Sequence, residues 1–390
     1  MKNVSDFWFL VSGGGTGRGA VFPQKRARET STRNVGQKPA PETSPRNVPR
    51  WIAAVRVLVA TAVAFACGST PYIAPGQTGP GSYYRTAPGA DMSPALERVF
   101  GSVHQIEFAA DYVTYEFDER SGVTEGDIAV GGFEARADTS FSETVTKAGT
   151  ATVITRSGNR LTLLTVSHVV HFPEIRFRYY DERPARAVNV ADPRRRVASA
   201  SVRTAERGRL MPRSGPIPFH VRARDDHHDL ALLRLDLPSQ AEAERFPALA
   251  LATGDARRLS WGSFLYALGH PRGYAMVTRA IVSSPDWDGR GAFITDGIWN
   301  EGMSGGLILA MRSETGALEL VGLARASAAE RVIRILPDTT GITPGSPAMR
   351  YDGPLFVETG LRAQYGIALP VTMTTITEFL RQQGVTLRRD

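Results

Sequence analysis

Short runs of alternating apolar and polar residues cover the chain from about residue 106 onward. Alternation with a period of two is typical of a β-strand that buries one face. Such runs occur at Ile106–Phe108, Tyr112–Phe117, Ile128–Val130, Thr144–Thr146, Gly149–Thr155, Leu161–Val166, Phe219–Ala223, Asp229–Leu235, Phe264–Leu268, Met276–Val282, Gly291–Thr295, Leu307–Met311 and Leu318–Ala324. Short strands separated by turn residues predict an all-β barrel or sandwich rather than a sheet that alternates with helices.

Helical spacing of apolar residues flanks this β-rich region. A first pattern predicts a helix from Pro94 to about Phe108, and a second predicts one from Val371 to about Gln383. Between Glu174 and Ser214 the chain is rich in arginine, which predicts a solvated loop with one hairpin.

The N-terminal region has a different composition. Residues 1–50 are polar and rich in glycine and proline, so we expect them to be disordered, or to precede a true translation start near Val48. Residues 51–67 predict an export signal, because Arg56 precedes the apolar run 57–66 and small residues follow. About ten apolar residues are too few for a membrane span, which takes about 20.

Cys67 is the only cysteine of the chain, so no intrachain disulfide can form. The segment 64–67 resembles a bacterial lipobox, in which the cysteine is lipidated after cleavage, although Ala64 and Phe65 depart from that pattern. A simple secretory signal and an uncleaved anchor are the alternatives. All three predict that the protein is exported to the periplasm or cell envelope. The signal segment is followed by residues 68–90, which we expect to be a flexible tether.

The net charge of +7 and the pI near 9.7 would favour nucleic-acid binding, but the distribution of the charges along the chain does not. Residues 1–66 contain ten basic and three acidic side chains, and residues 67–390 contain equal numbers of each sign. The basic leader therefore accounts for the charge, and we expect no nucleic-acid partner.

Three residues carry candidate chemistry. Ser304 lies in the turn Gly302–Gly306, where glycines place a hydroxyl and several backbone N–H groups close together. His168 follows one predicted strand and Asp229 opens another. Together they supply a nucleophile, a base and a group that orients the base.

The segments around these residues, Thr165–Val170, His228–Leu233 and Gly302–Gly306, resemble the three signature segments of the trypsin-like (chymotrypsin-fold) serine proteases. The chain is most similar to the HtrA/Deg-like branch, without a PDZ domain. Supporting similarity occurs at Ala267–Gly273, Ile294–Gly297 and Tyr365–Pro370. The resemblance covers about residues 145–385.

This resemblance implies a double β-barrel of the trypsin-like serine protease type with a C-terminal helix. We accordingly expect residues 91–147 to be an N-terminal extension and residues 148–390 to be the protease domain. The expected parts of that domain are a first barrel over about 148–240, a second over about 255–370, and the helix over 371–383.

The resemblance also implies the role of each site residue. His168 would accept the proton of the Ser304 hydroxyl, and Asp229 would hold the imidazole in the required tautomer. The backbone N–H groups of Gly302 and Ser304 would form the oxyanion hole.

Substrate preference follows from the same resemblance. The residues before the serine, Ile298, Trp299 and Asn300, would line the primary specificity pocket. None of them is acidic, so we expect cleavage after small or medium apolar residues rather than after lysine or arginine. The expected substrate is a protein or peptide, and neither a cofactor nor a metal is implied.

Two features depart from the family pattern. Met303 occupies a position where the family has Asp or Asn, and methionine cannot make the buried polar contact that braces the loop. His168 and Asp229 are separated by 61 residues, which we assign to the arginine-rich insertion.

Three other interpretations were considered. A protease-like binding module without activity is the main alternative to a serine endopeptidase acting on exported or misfolded proteins. A metal site built from His220, His227, His228 and Asp229 is disfavoured, since neighbouring strand residues face opposite sides. An α/β-hydrolase is disfavoured because its serine precedes its acid and its histidine along the chain.

Overall fold

The computed structural model describes residues 8–11, 81–86, 89, 91–180, 193–337, 353 and 355–387. These residues all fall within one structural unit of the chain, which comprises Met1–Phe22 and Pro80–Asp390. The expectations for the export signal and for Cys67 lie outside the described residues. None of the helices in the described part is long and apolar enough to cross a bilayer.

The strands, in chain order, are β1 (Trp8–Val11), β2 (Val103–Glu116), β3 (Thr139–Ser157), β4 (Arg160–Thr165), β5 (Ile175–Tyr179), β6 (Val197–Leu210), β7 (Ile217–Asp225), β8 (Leu230–Asp236), β9 (Ala252–Thr253), β10 (Phe264–Gly269), β11 (Met276–Ser284), β12 (Ile294–Thr295), β13 (Leu307–Met311), β14 (Leu318–Pro337) and β15 (Leu355–Thr372).

The helices are α1 (Ser93–Phe100), α2 (Glu125–Val130), α3 (Gln240–Glu244) and α4 (Met373–Gln382). Short 3-10 turns occur at Glu119–Ser121, Phe133–Arg136, Ser167–Val170, Ala256–Arg258 and Pro271–Gly273.

The strands close into two six-stranded barrels. In barrel 1 the order is β2-β3-β4-β8-β7-β6, and pairing of β2 with β6 closes the ring, with β5 added beside β6. In barrel 2 the order is β14-β13-β10-β11-β12-β15, and pairing of β14 with β15 closes the ring. Closure leaves neither ring with an unpaired edge, so the predicted all-β double barrel with a C-terminal helix is confirmed.

Each barrel interior is filled by the inward-facing residues of its strands. The buried apolar cluster of barrel 1 continues across to residues of barrel 2 and to α4, whose Met373, Ile376, Phe379 and Leu380 are buried in it. Barrel 2 has its own cluster, which includes Phe293. Helix α4 therefore covers apolar surface shared by both barrels, as its 3.6-residue periodicity predicts.

The expected boundary of barrel 1 was wrong. Residues 91–147 were assigned to an extension, but β2 pairs along its whole length with β3 and over most of it with β6. Two of the four predicted runs in this region, Ile106–Phe108 and most of Tyr112–Phe117, form one continuous strand, β2, that closes the barrel. The pairing of β2 with β6 joins residues far apart in sequence, and a local pattern cannot reveal it.

One predicted strand and one predicted helix end also differ from the structure. Residues Ile128–Val130, predicted as a strand, form the end of α2. Thr124 caps the start of this helix: its side chain accepts a hydrogen bond from the backbone N–H of Asp127, and the Asp127 side chain accepts one from the backbone N–H of Thr124. Such a capping box outweighs three residues of alternation. Helix α1 ends at Phe100 instead of near Phe108, because the chain passes through Gly101 into β2.

The arginine-rich region contains more regular structure than expected. Strands β5 and β6 occupy much of residues 174–214, and the long β6 is part of the barrel. Residues 181–192 lie outside the described part of the chain. The wide separation of His168 and Asp229 therefore includes barrel strands as well as loop.

Segments before β2 are also more ordered than predicted. Within the expected leader, β1 pairs antiparallel with Ala326–Ala329 of β14. Within the expected tether, Tyr83 is fully buried and donates a hydrogen bond to Glu319 at 2.8 Å. Glu319 also accepts two hydrogen bonds from Arg312, at 2.6 and 2.7 Å. Residues 81–86 are thus packed onto barrel 2 rather than flexible.

Candidate active site

Two adjacent strands of barrel 1 bring His168 and Asp229 together. Strands β4 and β8 are antiparallel with Thr165 opposite Ala231, so the end of β4 lies beside the start of β8. The His168 Nδ1 atom is 2.8 Å from Oδ2 and 3.1 Å from Oδ1 of Asp229. These are hydrogen-bond distances, so the structure brings these two predicted residues into direct contact.

The orientation of this pair is fixed by a second hydrogen bond. The backbone N–H of His168 donates to Asp229 Oδ1 at 2.8 Å. An ionised carboxylate only accepts, so the neutral imidazole carries its proton on Nδ1 and leaves Nε2 as a base. The side chains are 13% and 14% exposed, so the pair is shielded from water but still accessible.

Asp229 adopts a backbone conformation that few residues tolerate. Its φ of 59° lies in the left-handed region. Aspartate and asparagine enter this region more readily than most other residues, since their short polar side chains can bond locally. The local sequence therefore suits the turn that presents the carboxylate to His168.

Lys147 fixes the turn that carries His168. Its ammonium donates to the carbonyl oxygens of His168 at 2.9 Å and His171 at 2.8 Å, and lies 4.6 Å from the ring centre of Phe172. Burial lowers the pKa of Lys147 to about 8, while the nearby Asp229 carboxylate opposes the shift. Removing water from the ammonium costs free energy, which these contacts offset.

Arg325 contributes a second cation near the same carboxylate. It follows Ala324 in β14, and its side chain is partly buried. Burial lowers the pKa of Arg325, and the charge of Asp229 again opposes the shift. Asp229 therefore lies beside His168 and close to two cationic side chains.

The Ser304 turn lies at the start of β13. Gly302 and Gly305 have φ values of 94° and 86°, so both positions favour glycine. A Cβ atom on Gly305 would lie 2.1 Å from the carbonyl oxygen of Thr150, and one on Gly302 would lie 2.5 Å from that of His270. The two glycines therefore allow the turn to pack directly against neighbouring backbone.

Thr150 of β3 holds this turn to barrel 1. Its buried hydroxyl donates to the carbonyl oxygen of Gly302 at 2.8 Å and accepts from the backbone N–H of His270 at 2.9 Å. Its own N–H donates to the carbonyl oxygen of Ser304 at 2.8 Å. One residue of barrel 1 therefore fixes two loops of barrel 2.

Gly149, the preceding residue, is where the two halves of the candidate site meet. A Cβ atom there would lie 2.5 Å from Cγ1 of Val169 and 3.2 Å from the carbonyl oxygen of Ser304. Val169 is the neighbour of His168 in its turn. The absence of a side chain at Gly149 lets the histidine turn and the serine turn approach each other.

Met303 braces the serine turn by packing rather than by a polar contact. Its side chain is 2% exposed and belongs to the apolar cluster of barrel 2. Its sulfur would lie 2.7 Å from a Cβ atom on Gly269. The polar support that methionine cannot supply is provided from outside the turn by Thr150.

The three residues predicted to line the specificity pocket have different environments. Ile298 is 57% exposed, and Asn300 is also exposed. Trp299 is 7% exposed and packs in the cluster of barrel 2, and its buried Nε1 has no hydrogen-bond partner among the described residues. Their role in substrate binding stays a prediction.

Two residues of the disfavoured metal site, Asp229 and His228, contact different partners. Asp229 bonds His168, while His228 Nδ1 contacts Asp225 at 2.7 Å. Within the described ranges, no group of three or more His, Cys, Asp or Glu side chains is arranged to hold a metal ion.

Three residues that contribute to the site were not predicted. Lys147 offered the clearest signal, because it occupies an inward-facing position in the alternating pattern of β3. Thr150 and Arg325 gave no sequence signal that distinguishes them from other residues of their strands. Their importance depends on which loops and charges the fold places beside them.

Comparison with known proteins agrees with this geometry. The sequence model of a family described as "Trypsin-like peptidase domain" matches residues 149–323, which include His168, Asp229 and Ser304. This part of the chain is therefore similar to trypsin-like peptidase domains. A search of curated proteins gave no match.

Among solved structures, the chain is similar to the serine endoprotease from Yersinia pestis. The sequence identity is 15%, over 76% of this chain and 67% of that chain, and the TM-score is 0.37. A score this low supports no argument about function, so the fold assignment depends on the strand pairing described above.

Replacing Thr150 by valine should loosen the serine turn. Thr150→Val keeps the shape but removes one hydrogen bond to each of two loops, and should lower the free energy of unfolding by about 1–3 kcal/mol. The turnover number for a cleaved peptide should fall about tenfold or more with little change in KM, since the turn acts mainly in the transition state. Thr150→Ser is the matched control and should retain most activity. Equal kinetics for both variants would contradict the assignment.

The buried Lys147 should make stability depend on pH. Its ordinary pKa of 10.5 falls to about 8 on folding, so between these values the unfolded chain binds a proton that the folded chain has released. Stability relative to Lys147→Met should therefore rise with pH across this window, by about 3 kcal/mol at most. Denaturant titrations from pH 7 to 10.5 measure the difference.

Arg209→Met is the control for this titration, because arginine stays charged throughout the window. The difference between wild type and this variant should not change with pH. A flat difference for Lys147→Met as well would show that the lysine is not desolvated in the folded protein.

Proposed function

We propose that the protein is a serine endopeptidase that uses Ser304 as nucleophile, His168 as general base and acid, and Asp229 to orient the histidine. The observation that carries the proposal is the hydrogen-bonded His168–Asp229 pair of barrel 1, beside a glycine-rich serine turn of barrel 2. The family match over these three residues supports it.

The chemistry follows from the protonation state of the pair. The Ser304 hydroxyl attacks the carbonyl carbon of the peptide bond, and His168 Nε2 takes its proton. When the C–N bond breaks, the imidazolium returns that proton to the leaving amine and an acyl-enzyme remains. Water, deprotonated by His168, then attacks the ester and releases the acid and the free serine.

Backbone geometry supports an oxyanion hole at Gly302 and Ser304. The carbonyl of Glu301 accepts a hydrogen bond from Arg272, and that of Met303 accepts one from Gly306, both at 2.8 Å. In a trans peptide the N–H points opposite to the carbonyl of the same unit. The N–H groups of Gly302 and Ser304 thus point away from these two donors, as an oxyanion hole requires.

The substrate would bind as an extended strand beside the serine turn. Gly305 donates to the carbonyl oxygen of Ala324 at 2.8 Å, so β14 passes directly next to the turn. Two residues later, Ala326–Ala329 pair antiparallel with β1. An extended peptide that took the place of β1 could pair with the same backbone groups, and such strand addition is a common mode of peptide recognition.

The predicted export signal leads us to propose protein substrates in the periplasm or cell envelope, among them misfolded proteins. Membrane attachment through lipidated Cys67 and membership of the HtrA/Deg-like branch are parts of the same proposal. The second candidate function is a protease-like binding module that keeps the cleft without turnover.

Labelling with a fluorophosphonate probe distinguishes the two candidates. The wild type should be labelled, because the probe reacts with an activated serine. Ser304→Ala should not be labelled, and His168→Ala should lose the activation, with peptide hydrolysis reduced about 10⁴-fold or more. Mass spectrometry of the adduct should place the label on Ser304.

Ser313→Ala is a matched control, since it removes a hydroxyl beyond the other end of β13, where Ser313 bonds Ser82. It should be labelled as fast as the wild type. A wild-type protein that folds but resists the probe would exclude the endopeptidase and favour the binding module.

Substrate preference gives an independent test. A peptide library should show cleavage after small or medium apolar residues, because none of the predicted pocket residues is acidic. Ile298→Asp should shift the profile toward lysine and arginine, since it adds a carboxylate to the exposed wall of the pocket. A wild-type profile dominated by basic residues would contradict the pocket assignment.

A further inference from the structure

A cavity of about 280 Å³ is lined by residues that do not include His168, Asp229 or Ser304. Its walls come from both barrels: the start of β2, the β6–β7 connection, the segment after α3 and the loop after β10. His104 and His270 line it, and we call it the two-histidine cavity. Neither residue has a role in the proposed peptidase chemistry.

Each of the two imidazoles packs against an aromatic ring and has one nitrogen that is buried away from water. His104 packs edge-on against Phe246, and His270 against Phe100, with ring centres 5.4 Å apart in both pairs. His104 Nε2 and His270 Nδ1 are buried and have no hydrogen-bond partner in the described part of the chain.

This burial determines where the protons lie. A buried N–H without an acceptor is less tolerable than a buried lone pair without a donor, so each ring carries its proton on the other nitrogen. Burial lowers the pKa of both residues to about 4, and the charge of His270 adds to the effect on His104. At neutral pH both rings are therefore neutral and each offers one N–H donor, from His104 Nδ1 and His270 Nε2.

The other polar side chains of the cavity are two cations and two neutral groups that can donate hydrogen bonds. Arg213 and Arg245 are exposed and line it, together with Gln105 and Ser214. No carboxylate occurs among its described lining residues, and neither arginine forms an ion pair with a described residue. Two guanidinium groups repel a cation, so the wall favours an anion with several oxygen acceptors.

We propose that the two-histidine cavity is a binding site for an oxyanion group, a phosphate or a carboxylate, held by Arg213 and Arg245 and by the N–H groups of His104 and His270. The cavity is larger than the anionic group itself, so the group can belong to a larger ligand. Phosphate and carboxylate share this chemistry, and the experiment separates them.

One residue, Thr150, connects this site to the serine turn. The backbone N–H of His270 donates to the Thr150 hydroxyl, which donates to the carbonyl oxygen of Gly302. A ligand that shifts or stiffens His270 therefore acts on the proposed oxyanion hole. This consequence depends on the proposed peptidase function, whereas the binding site itself does not.

Calorimetry on the full chain tests the site with three probes at constant ionic strength: inorganic phosphate, a short peptide with a free C-terminal carboxylate, and the same peptide amidated. Phosphate or the free peptide should bind saturably, and the amidated peptide should not. Arg213→Ala/Arg245→Ala should weaken binding about tenfold or more, because charge-assisted hydrogen bonds are lost. Arg209→Ala, an exposed arginine of β6 outside the cavity wall, should bind as the wild type does.

The histidines are tested by His104→Phe and His270→Phe. Phenylalanine keeps the edge-on ring packing and removes a buried unpaired nitrogen, so both variants should fold, but each should bind the anion more weakly. Absence of saturable binding of phosphate and free peptide, or equal binding by wild type and the double arginine variant, would overturn the site.

The rate of fluorophosphonate labelling provides the second readout. The bound anion should change the labelling rate of the wild type and leave that of Arg213→Ala/Arg245→Ala unchanged. Binding without any labelling would retain the site and reject the peptidase proposal. Labelling with no anion binding would reject the site and retain the peptidase.

Discussion

The hydrogen bonds of Thr150 are the constraint on which the candidate site depends. His168 and Asp229 belong to barrel 1 and Ser304 to barrel 2, so their chemistry exists only if the barrels are held in one arrangement. Apolar packing supplies most of the attraction but is tolerant of small displacements. The buried Thr150 hydroxyl, bonded to Gly302 and His270, adds the directional contact that fixes the serine turn against barrel 1.

Charge around Asp229 presents a related problem of desolvation. A carboxylate that is largely removed from water is tolerated only when donors and cations replace the water. Two donors come from His168, while the Lys147 and Arg325 charges lie near enough to interact. The two hydrogen bonds between His168 and Asp229 hold the imidazole in one orientation.

Two features could be predicted from the sequence. They are the strands with strong alternation and the pairing of His168 with Asp229. The alternating pattern reports which face is buried, and each candidate residue lies beside such a strand. The role of β2 could not be predicted, because its pairing with β6 is non-local. Thr150 was missed for a similar reason: a buried hydroxyl becomes important only through loops more than a hundred residues away.

Met303 illustrates how the fold resolves a local departure from a family pattern. The sequence suggested that a methionine would leave the serine turn without polar support. In the structure the side chain fills the core of barrel 2, where a buried Asp or Asn would need partners of its own. Support for the turn comes instead from its carbonyl groups, which bond Thr150, Arg272 and Gly306. Because the carbonyls of Glu301 and Met303 are bonded, the N–H groups of the same two peptide units, those of Gly302 and Ser304, point away from these donors.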